Sequence, residues 1–489
     1  MSVASEIERI KGNIASAYTA ASGKGATMPA VQNSANLAGC IDTITGGGGS
    51  SDEWQPNPNW WDIKKILDED TRDYPGKVGA IMYGFDDVTD FALSPSGMTA
   101  VATSDGAFYS WADNGVNVSH NWDTSKDKDD GRGFKTRWVI YYYTGSTTNN
   151  VFRQSDIMFG WNYNPIAYLV LRINCSATSQ FCYDNHLLEA IENTGYELSG
   201  SSFDSFCRGC YCLTKLPENL DTSNSTNFSN FCYNCYSLKE LPENLDTSSS
   251  TNFSNFCQNC HSLRELPENL DTSNGTNFSS FCRDCHSLKE LPENLDTSSS
   301  TNFSSFCYNC YSLRELPENL DASNGTNFSS FCYNCHSLKK LPDGLDIRKA
   351  TTLNSFCYNC YSLKELPENL DTSSSTNFSY FCYSTSRLQD AGEISMSATT
   401  TKLTSRMTSP FNSAPCLKNI FLTLPSNTNF WLDSSTRISI ESFRYIADHA
   451  PDVTATPRTL TVGSTNITRI NEADPTIITD LNAKGWTVA

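Results

Sequence analysis

Residues 231–255 read FCYNCYSLKELPENLDTSSSTNFSN, and residues 256–280 read FCQNCHSLRELPENLDTSNGTNFSS. The dipeptide Phe-Cys returns every 25 residues, at positions 181, 206, 231, 256, 281, 306, 331, 356 and 381. Residues 232–256 and 357–381 differ at a single position, where Asn255 stands against Tyr380. Such a period predicts an array of stacked repeats, here called rungs, with nearly the same backbone in each.

Each rung carries few apolar residues, so a single rung cannot bury a core of its own. Stacking places like residues on one another and joins them into continuous ladders of leucine, phenylalanine and cysteine. The predicted core ladder, numbered in one rung, is Cys232, Cys235, Leu238, Leu241, Leu245, Phe253 and Phe256. Pro242 in the Leu-Pro-Glu-Asn turn is expected to follow a short strand, because proline sets the chain direction and lacks a backbone donor.

Composition excludes several classes of protein. A chain of 489 residues predicts more than one domain. The net charge of -19 argues against binding to nucleic acid or to anionic lipid. No apolar run approaches the roughly 18 residues of a membrane span, and the first residues do not resemble a secretion signal. Membrane insertion and export are therefore not expected, whereas synthesis in a cytoplasm is expected.

The change of sequence pattern along the chain predicts a mainly β protein with five segments. The solenoid of 25-residue rungs is flanked by a short helical N-terminal attachment segment, a β-rich middle domain and an α/β C-terminal cap. The expected segments are 1–45 (helical attachment or oligomerisation), 46–51 (Gly-rich linker), 52–175 (β-rich domain), 176–395 (solenoid), and 396–489 (irregular repeats and cap). Two short helices cannot stand alone, so residues 1–45 are expected to associate with copies of themselves or with a larger assembly.

Strands and helices outside the rungs follow from local patterns. β-branched and aromatic runs predict strands at Ala80–Tyr83, Thr99–Thr103, Arg137–Thr144 and Ile166–Ile173, and the tyrosine run 141–143 indicates a partly exposed sheet. In the cap, capping and glycine signals predict a helix after Ser439, a strand at Arg458–Val462, a helix opened by Asp474-Pro475, and a strand at Trp486–Val488.

The rung resembles the BspA-like leucine-rich repeats of bacterial surface proteins. The matching residues run from Phe231 through Cys235 and Leu238 to Leu241, and then from Leu245 to Phe253. Cys235 matches the cysteine of that family, whereas Cys232 stands where the family has an inward aromatic residue. The resemblance implies a leucine-rich solenoid, and on its own it would favour a bacterial surface adhesin.

The two ends of the chain resemble another group. Residues 5–18 and 32–37 are similar to the N-terminal attachment segment of tail-fibre-like proteins in phages of Gram-positive hosts. Residues 458–466 and 484–487 are similar to the C-terminal end of repeat-bearing proteins from the same phages. This resemblance implies attachment to a phage tail or baseplate through residues 1–45. It also implies a homo-oligomer, with a trimer favoured, located in the virion.

Seven complete Cys-x-x-Cys pairs run from Cys207 and Cys210 to Cys357 and Cys360. Free buried thiols, disulfides and a metal site all fit this pattern. Pairs on stacked rungs form two parallel files about 5 Å apart per step, which suits a tetrahedral zinc site poorly. A free cysteine packs as a small hydrophobe, so buried thiols are favoured and neither a metal nor a cofactor is expected.

Aromatic and hydrogen-bonding residues flank the second cysteine of each rung and form the candidate ligand-binding strip. Rings and polar tips in regular array are typical of a surface that binds sugars, although a ladder that only covers the edge of the core fits as well. The strip residues are Tyr233, Tyr236, His261, His286, Tyr308, Tyr311, Tyr333, His336, Tyr358 and Tyr361.

The carboxylates do not predict an enzyme. Glu243 and Asp246 recur in nearly every rung, whereas glycoside hydrolysis needs one pair of carboxylates in unlike environments. A solvated acidic face is therefore expected. Residues 127–131 faintly resemble a calcium loop, but Lys126 occupies the first ligand position.

Together these features favour a non-enzymatic phage virion protein of the tail fibre or tail tip, whose rungs contact a glycan or protein of the host surface. A bacterial adhesin and an architectural spacer that binds nothing are the alternatives.

Overall fold

The structure is a computed structural model. It describes residues 63–72, 76–84, 90–93, 98–104, 106, 108–110, 118–121, 125, 127–129, 135–143, 157–159, 166–172, 174–176, 178–193, 195–217, 219–396 and 408–489. The attachment segment 1–45 and the linker 46–51 predicted from the sequence lie outside these residues.

A twisted sheet precedes the rungs. Strands β1 to β9 are Gly76–Gly84, Asp90–Leu93, Met98–Thr103, Phe108–Ser110, Val118–Asn121, Lys128–Asp129, Lys135–Tyr143, Ile157–Phe159 and Ile166–Arg172. With β10 (Ala190–Glu192), the main sheet has the order β10-β9-β1-β7-β3-β4, and β6 lies beside β7. Strands β5, β2 and β8 form a separate sheet. Helix α1 (Ile63–Glu69) lies against β1 at Gly79, where a Cβ would come within 2.5 Å of Ile63 Cγ1.

The described residues of all four predicted runs lie in strands, whereas residues 144 and 173 lie outside the described part of the chain. Two other expectations differ from the structure. Tyr141 and Tyr142 are fully buried, so the tyrosine run does not mark an exposed sheet. Strand β10 (Ala190–Glu192) pairs in parallel with β9, although it belongs to the segment predicted as solenoid. The boundary expected at residue 175 therefore falls inside one hydrogen-bonded sheet, because the first divergent repeat supplies its edge strand.

Each rung is a series of turns bonded to its neighbours rather than a set of long strands. Within a rung, Phe231 N donates to Phe228 O and Cys235 N to Cys232 O. Between rungs, Cys232 N donates to Phe256 O at 3.0 Å and Thr251 N to Thr226 O at 3.1 Å. Single β-bridges join equivalent asparagines, as in Asn252 with Asn277.

The strand expected before Pro242 is absent, since residues 238–241 are not in a strand. Most inter-rung bridges lie instead at the asparagine of the Thr-Asn-Phe segment, although one joins Glu365, two residues before Pro367, to Asp390. Near the start of the array, β11 (Leu198–Ser199) pairs in parallel with β12 (Leu220–Asp221), and β12 follows Pro217. Neither Pro217 nor Pro242 ends a strand.

Two residues in every rung adopt a left-handed backbone. In one rung they are Asn230 with φ 55° and Asn234 with φ 64°, and the same pair of positions recurs 25 residues on at Asn255 and Asn259. Asparagine tolerates this region better than most residues. Asn259 Nδ2 also donates to Asn234 Oδ1 at 2.6 Å, so the turn asparagines form a ladder of amides.

The core is continuous through the rungs. All seven residues of the predicted core ladder are buried, the most exposed being Leu241 at 4%. Phe231 and Phe256 stack with centroids 5.4 Å apart, and the equivalent rings continue up the array. Stacking thus supplies the buried area that one rung lacks.

A cap of helices on short parallel strands follows. It contains β13 (Asp390–Ser395), β14 (Asn419–Thr423), β15 (Phe430–Trp431), α2 (Ile440–His449), β16 (Arg458–Thr461), α3 (Ser464–Ala473), α4 (Thr476–Ala483) and β17 (Trp486–Val488). Ser439 caps α2 by accepting from Ser442 N, as its position predicts. The sequence reasoning missed α3.

Among the residues described here, no helix has the length and apolar character needed to cross a bilayer.

Candidate binding surface

Two outward files of side chains run along the rungs, one residue per rung in each. The Tyr/His file comprises His186, Tyr211, Tyr236, His261, His286, Tyr311, His336 and Tyr361. The Tyr/Arg file comprises Tyr183, Arg208, Tyr233, Gln258, Arg283, Tyr308, Tyr333, Tyr358 and Tyr383. All ten residues of the predicted strip fall into these two files.

The Tyr/His file is an unbroken stack of rings. Every neighbouring pair is nearly parallel, with centroids between 4.2 and 4.9 Å apart. His261 and His286 stand next to each other at 4.3 Å and 10°. The backbone bonds that set the rung spacing therefore also place ring on ring.

The Tyr/Arg file is aromatic at one end and mixed at the other. Tyr308, Tyr333 and Tyr358 stack at 4.4 Å per step, and Tyr383 follows Tyr358 at 4.8 Å. At the other end, Arg208 lies 5.3 Å from the Tyr183 ring and 4.9 Å from the Tyr233 ring. Cation–π contacts thus replace ring stacking where an arginine interrupts the tyrosines.

The strip is less exposed than the sequence suggested. Of its ten residues only Tyr361 counts as exposed, at 41%, and the other nine are half-buried. Each inner ring covers its neighbours with its two faces, so the faces are not free for a flat apolar partner. What the strip offers to solvent is ring edges, phenol hydroxyls and imidazole nitrogens, and the binding role predicted for it stays a prediction.

The electrostatics of the files follow from partial burial. Burial lowers the pKa of His261, with His286 beside it acting in the same direction and Asp284 opposing. The pKa values of His286 and His336 are also lowered by burial. Burial and the neighbouring phenols raise the pKa of Tyr333 to about 12. At neutral pH these side chains are uncharged donors and acceptors.

The cysteine pairs lie inside the rungs. The second thiol of each pair donates to the carbonyl of the first cysteine one rung earlier, as Cys235 Sγ does to Cys207 O at 3.0 Å. Burial raises the pKa of Cys210 to about 12 and that of Cys335 to about 11. The cysteines of the seven Cys-x-x-Cys pairs are free thiols and are fully buried.

The described aspartates take part in turns and ion pairs. Asp246 accepts from Ser248 N and Ser248 Oγ, which lowers its pKa, and equivalent aspartates in the other rungs repeat the turn. Asp127 of the calcium-like loop forms two hydrogen bonds with buried Arg137, at 2.7 and 2.9 Å. No group of three or more potential ligands able to hold a metal occurs among the described residues.

The sequence reasoning missed several members of the files. His186, Tyr211, Tyr183 and Tyr383 complete the rows at both ends, and the 25-residue period could have found all four. The sequence distinguishes Tyr380 only as the single difference between residues 357–381 and 232–256. Its ring contacts Tyr358 and Tyr383 edge-on, at 6.0 and 5.8 Å.

The rungs match a known family model. Residues 204–319 and 293–394 match the family described as "Mycoplasma protein of unknown function, DUF285". This match supports the BspA-like, leucine-rich-repeat-like resemblance of the rungs. The comparisons give no support to the phage resemblance of the termini.

One solved structure with a similar chain is the crystal structure of a leucine-rich repeat protein from Eubacterium ventriosum. The two chains are 14% identical with a TM-score of 0.23, and the match covers 56% of this chain and 86% of that one. No protein with a curated description matches the chain.

Proposed function

We propose that the rungs form a non-enzymatic binding surface for polysaccharide on a cell surface. The observation that carries the proposal is the pair of outward files, in which one half-exposed, uncharged hydrogen-bonding ring recurs in nearly every rung. A ligand that fits such a surface is itself a repeating polymer rich in hydroxyl groups. Phenols and imidazoles can donate to and accept from those hydroxyls at regular intervals.

The ring stack refines how the sugar is held. Because the inner rings cover one another, the sugar contacts a regular row of ring edges, phenol hydroxyls and imidazole nitrogens. Each contact is weak, and the affinity comes from many equal contacts along one chain of sugar. The net charge of -19 disfavours acidic polymers, so a neutral polysaccharide is the favoured class.

We further propose that the protein is carried on a phage virion, as a leucine-rich solenoid on a tail fibre or tail tip. Residues 1–45 would attach it to the tail or baseplate, and the protein would form a homo-oligomer, with a trimer favoured. The resemblance of the two termini supports this placement. A bacterial surface adhesin with the same rungs would present the same binding surface.

The test removes hydroxyls while keeping the rings. The full chain and the variant Y308F/Y311F/Y333F are compared for binding to intact Gram-positive cells and to dextran, mannan and galactan in affinity gels. The variant should unfold at the same denaturant concentration as the parent and bind its target more weakly. The control E265Q/E290Q/E315Q changes three exposed residues that lie in the same rungs as the substituted tyrosines or in adjacent rungs. It should bind like the parent.

Two results would contradict the proposal. Equal binding by the hydroxyl-free variant and the parent would show that the strip only covers the core. No binding by the parent to any cell or polysaccharide would favour the architectural spacer.

A further inference from the structure

Tyr380 breaks the pattern of the rungs at one point. It is the only difference between residues 357–381 and 232–256, where Asn255 stands instead. Its ring is not parallel to any ring of the files but crosses Tyr358 at 64° and Tyr383 at 69°. Tyr358 and Tyr383 stack on each other at 4.8 Å, so the three rings form a corner at the end of the Tyr/Arg file.

The backbone at this corner is strained. Tyr380 has φ 61°, and the equivalent residues in the preceding rungs hold the same left-handed backbone. Those residues are Gln180 in the divergent first repeat and then only serine or asparagine: Ser205, Asn230, Asn255, Ser280, Ser305, Ser330 and Ser355. A bulky side chain is disfavoured in this conformation, whereas asparagine is tolerated. The rung at residues 232–256 therefore has the tolerated Asn255 at this position, whereas the otherwise identical rung at residues 357–381 has the less favourable Tyr380.

Strain of this kind is typical of residues retained for binding. Tyr380 is half-buried, and among the residues that the structure describes its ring lies in no parallel pair. A tyrosine ring in this arrangement, beside two phenol hydroxyls, can pack on the apolar face of a pyranose while the hydroxyls bind its edge. The inner positions of both files lack this combination.

We propose that Tyr358, Tyr380 and Tyr383 form an end subsite for one neutral pyranose unit, with Tyr380 as its specificity-determining residue. The proposal rests on the proposed function, because it names where that polysaccharide is anchored. The files hold a long polymer by many weak contacts, and the corner binds a short oligosaccharide as well.

The main test uses the neighbouring rung as its template. The variant Y380N converts residues 357–381 into a copy of 232–256, so it should fold. The full chain, Y380N and Y380F are titrated with four-sugar fragments of dextran, mannan and galactan, and their unfolding midpoints in urea are measured. Y380N should lose about tenfold or more in affinity, while its midpoint stays equal or rises. Y380F keeps the ring and should retain most of the affinity.

Three outcomes would overturn the subsite. Equal oligosaccharide affinity of Y380N and parent would show that the corner binds nothing, while polymer binding could still uphold the proposed function. A lower midpoint together with weaker binding would show that Tyr380 packs the junction with the cap. Polymer binding by the parent without oligosaccharide binding would leave the files as the whole binding surface.

A transplant gives an independent test. Asn255 has Tyr233 at the place of Tyr358 and Gln258 at the place of Tyr383. The variant N255Y/Q258Y should therefore build a second corner, raise the oligosaccharide stoichiometry from one to two, and lower the unfolding midpoint through the added strain. Q258Y alone should leave the stoichiometry unchanged. A folded double variant that binds one oligosaccharide would contradict the proposal.

Discussion

The inner and outer faces of a rung follow different rules. Inside, cysteine, leucine and phenylalanine recur at almost every equivalent position, and all of those in the core ladder are buried. Outside, the same two positions hold tyrosine, histidine, arginine or glutamine from one rung to the next. The difference teaches that the stack requires one fixed interior, while its surface accepts any side chain that can lie flat on its neighbour.

The largest contrast is expected in thiol reactivity. Of the described cysteines, Cys212 and Cys416 are partly exposed and the other 17 are buried. A thiol reagent should modify the exposed ones quickly and the buried ones slower by on the order of a thousandfold or more, because reaction requires local opening. Unfolding in denaturant without reductant should release all thiols. A deficit of two thiols per rung would indicate disulfides and contradict the free-thiol interior.

Truncating the interior should destabilise the stack strongly. Phe281 is fully buried between Phe256 and Phe306, at 5.4 and 5.6 Å. We expect F281A to cost about 3–5 kcal/mol, measured as a shift of the urea unfolding midpoint. The outer variant R283Y copies a residue found in other rungs and should change stability by about 0.5 kcal/mol or less. Equal effects of the two variants would remove the distinction between the faces.

The turn asparagines should show an intermediate effect. Asn309 has φ 58° and donates to Asp284 Oδ1 at 2.6 Å. N309A should cost about 1–2 kcal/mol, because alanine is disfavoured in the left-handed region. N309G should cost less, since glycine occupies the equivalent position at Gly209 with φ 79°. If alanine proves as stable as glycine in urea unfolding, the left-handed backbone does not select these residues.

The smallest effect should come from acidification. Burial lowers the pKa values of His186, His261, His286 and His336, so the unfolded chain binds more protons than the folded chain as pH falls. Stability should be complete above the unfolded value near 6.5 and should decline as pH falls below it. In H261Y/H286Y/H336Y, which uses the tyrosine of the other rungs, thermal unfolding should depend less on pH. An unchanged dependence of thermal unfolding on pH would show that the pKa values of these histidines do not differ between the folded and unfolded chain.

The interior was predictable because repetition removes most alternatives. One period, read from Phe-Cys, identified the buried ladder of Cys232, Leu238 and Phe256 without any long-range information. The outer strip was located but its exposure was overestimated, because the sequence shows which rings share a file and not that their faces cover one another.

Other features could not be read from the period. The pairing of β10 with β9 depends on where a divergent rung meets a sheet. The strand expected before Pro242 does not form, because isolated inter-rung bonds such as Lys239 N to Thr214 O do not build a continuous ladder. The strain at Tyr380 becomes visible only with its backbone angle. Each of these depends on tertiary contacts that local pattern does not encode.

The most direct test of the central claim is deletion of one whole rung, residues 282–306, which joins Phe281 to Cys307 and preserves the register. Urea unfolding and titration with the polysaccharide that the parent binds are measured on the full chain and on the deletion variant. We predict a cooperatively folded protein whose affinity for the polymer falls several-fold, because one set of contacts is lost. An unfolded variant would contradict the interchangeable interior, and an unchanged polymer affinity would contradict binding along the outer files.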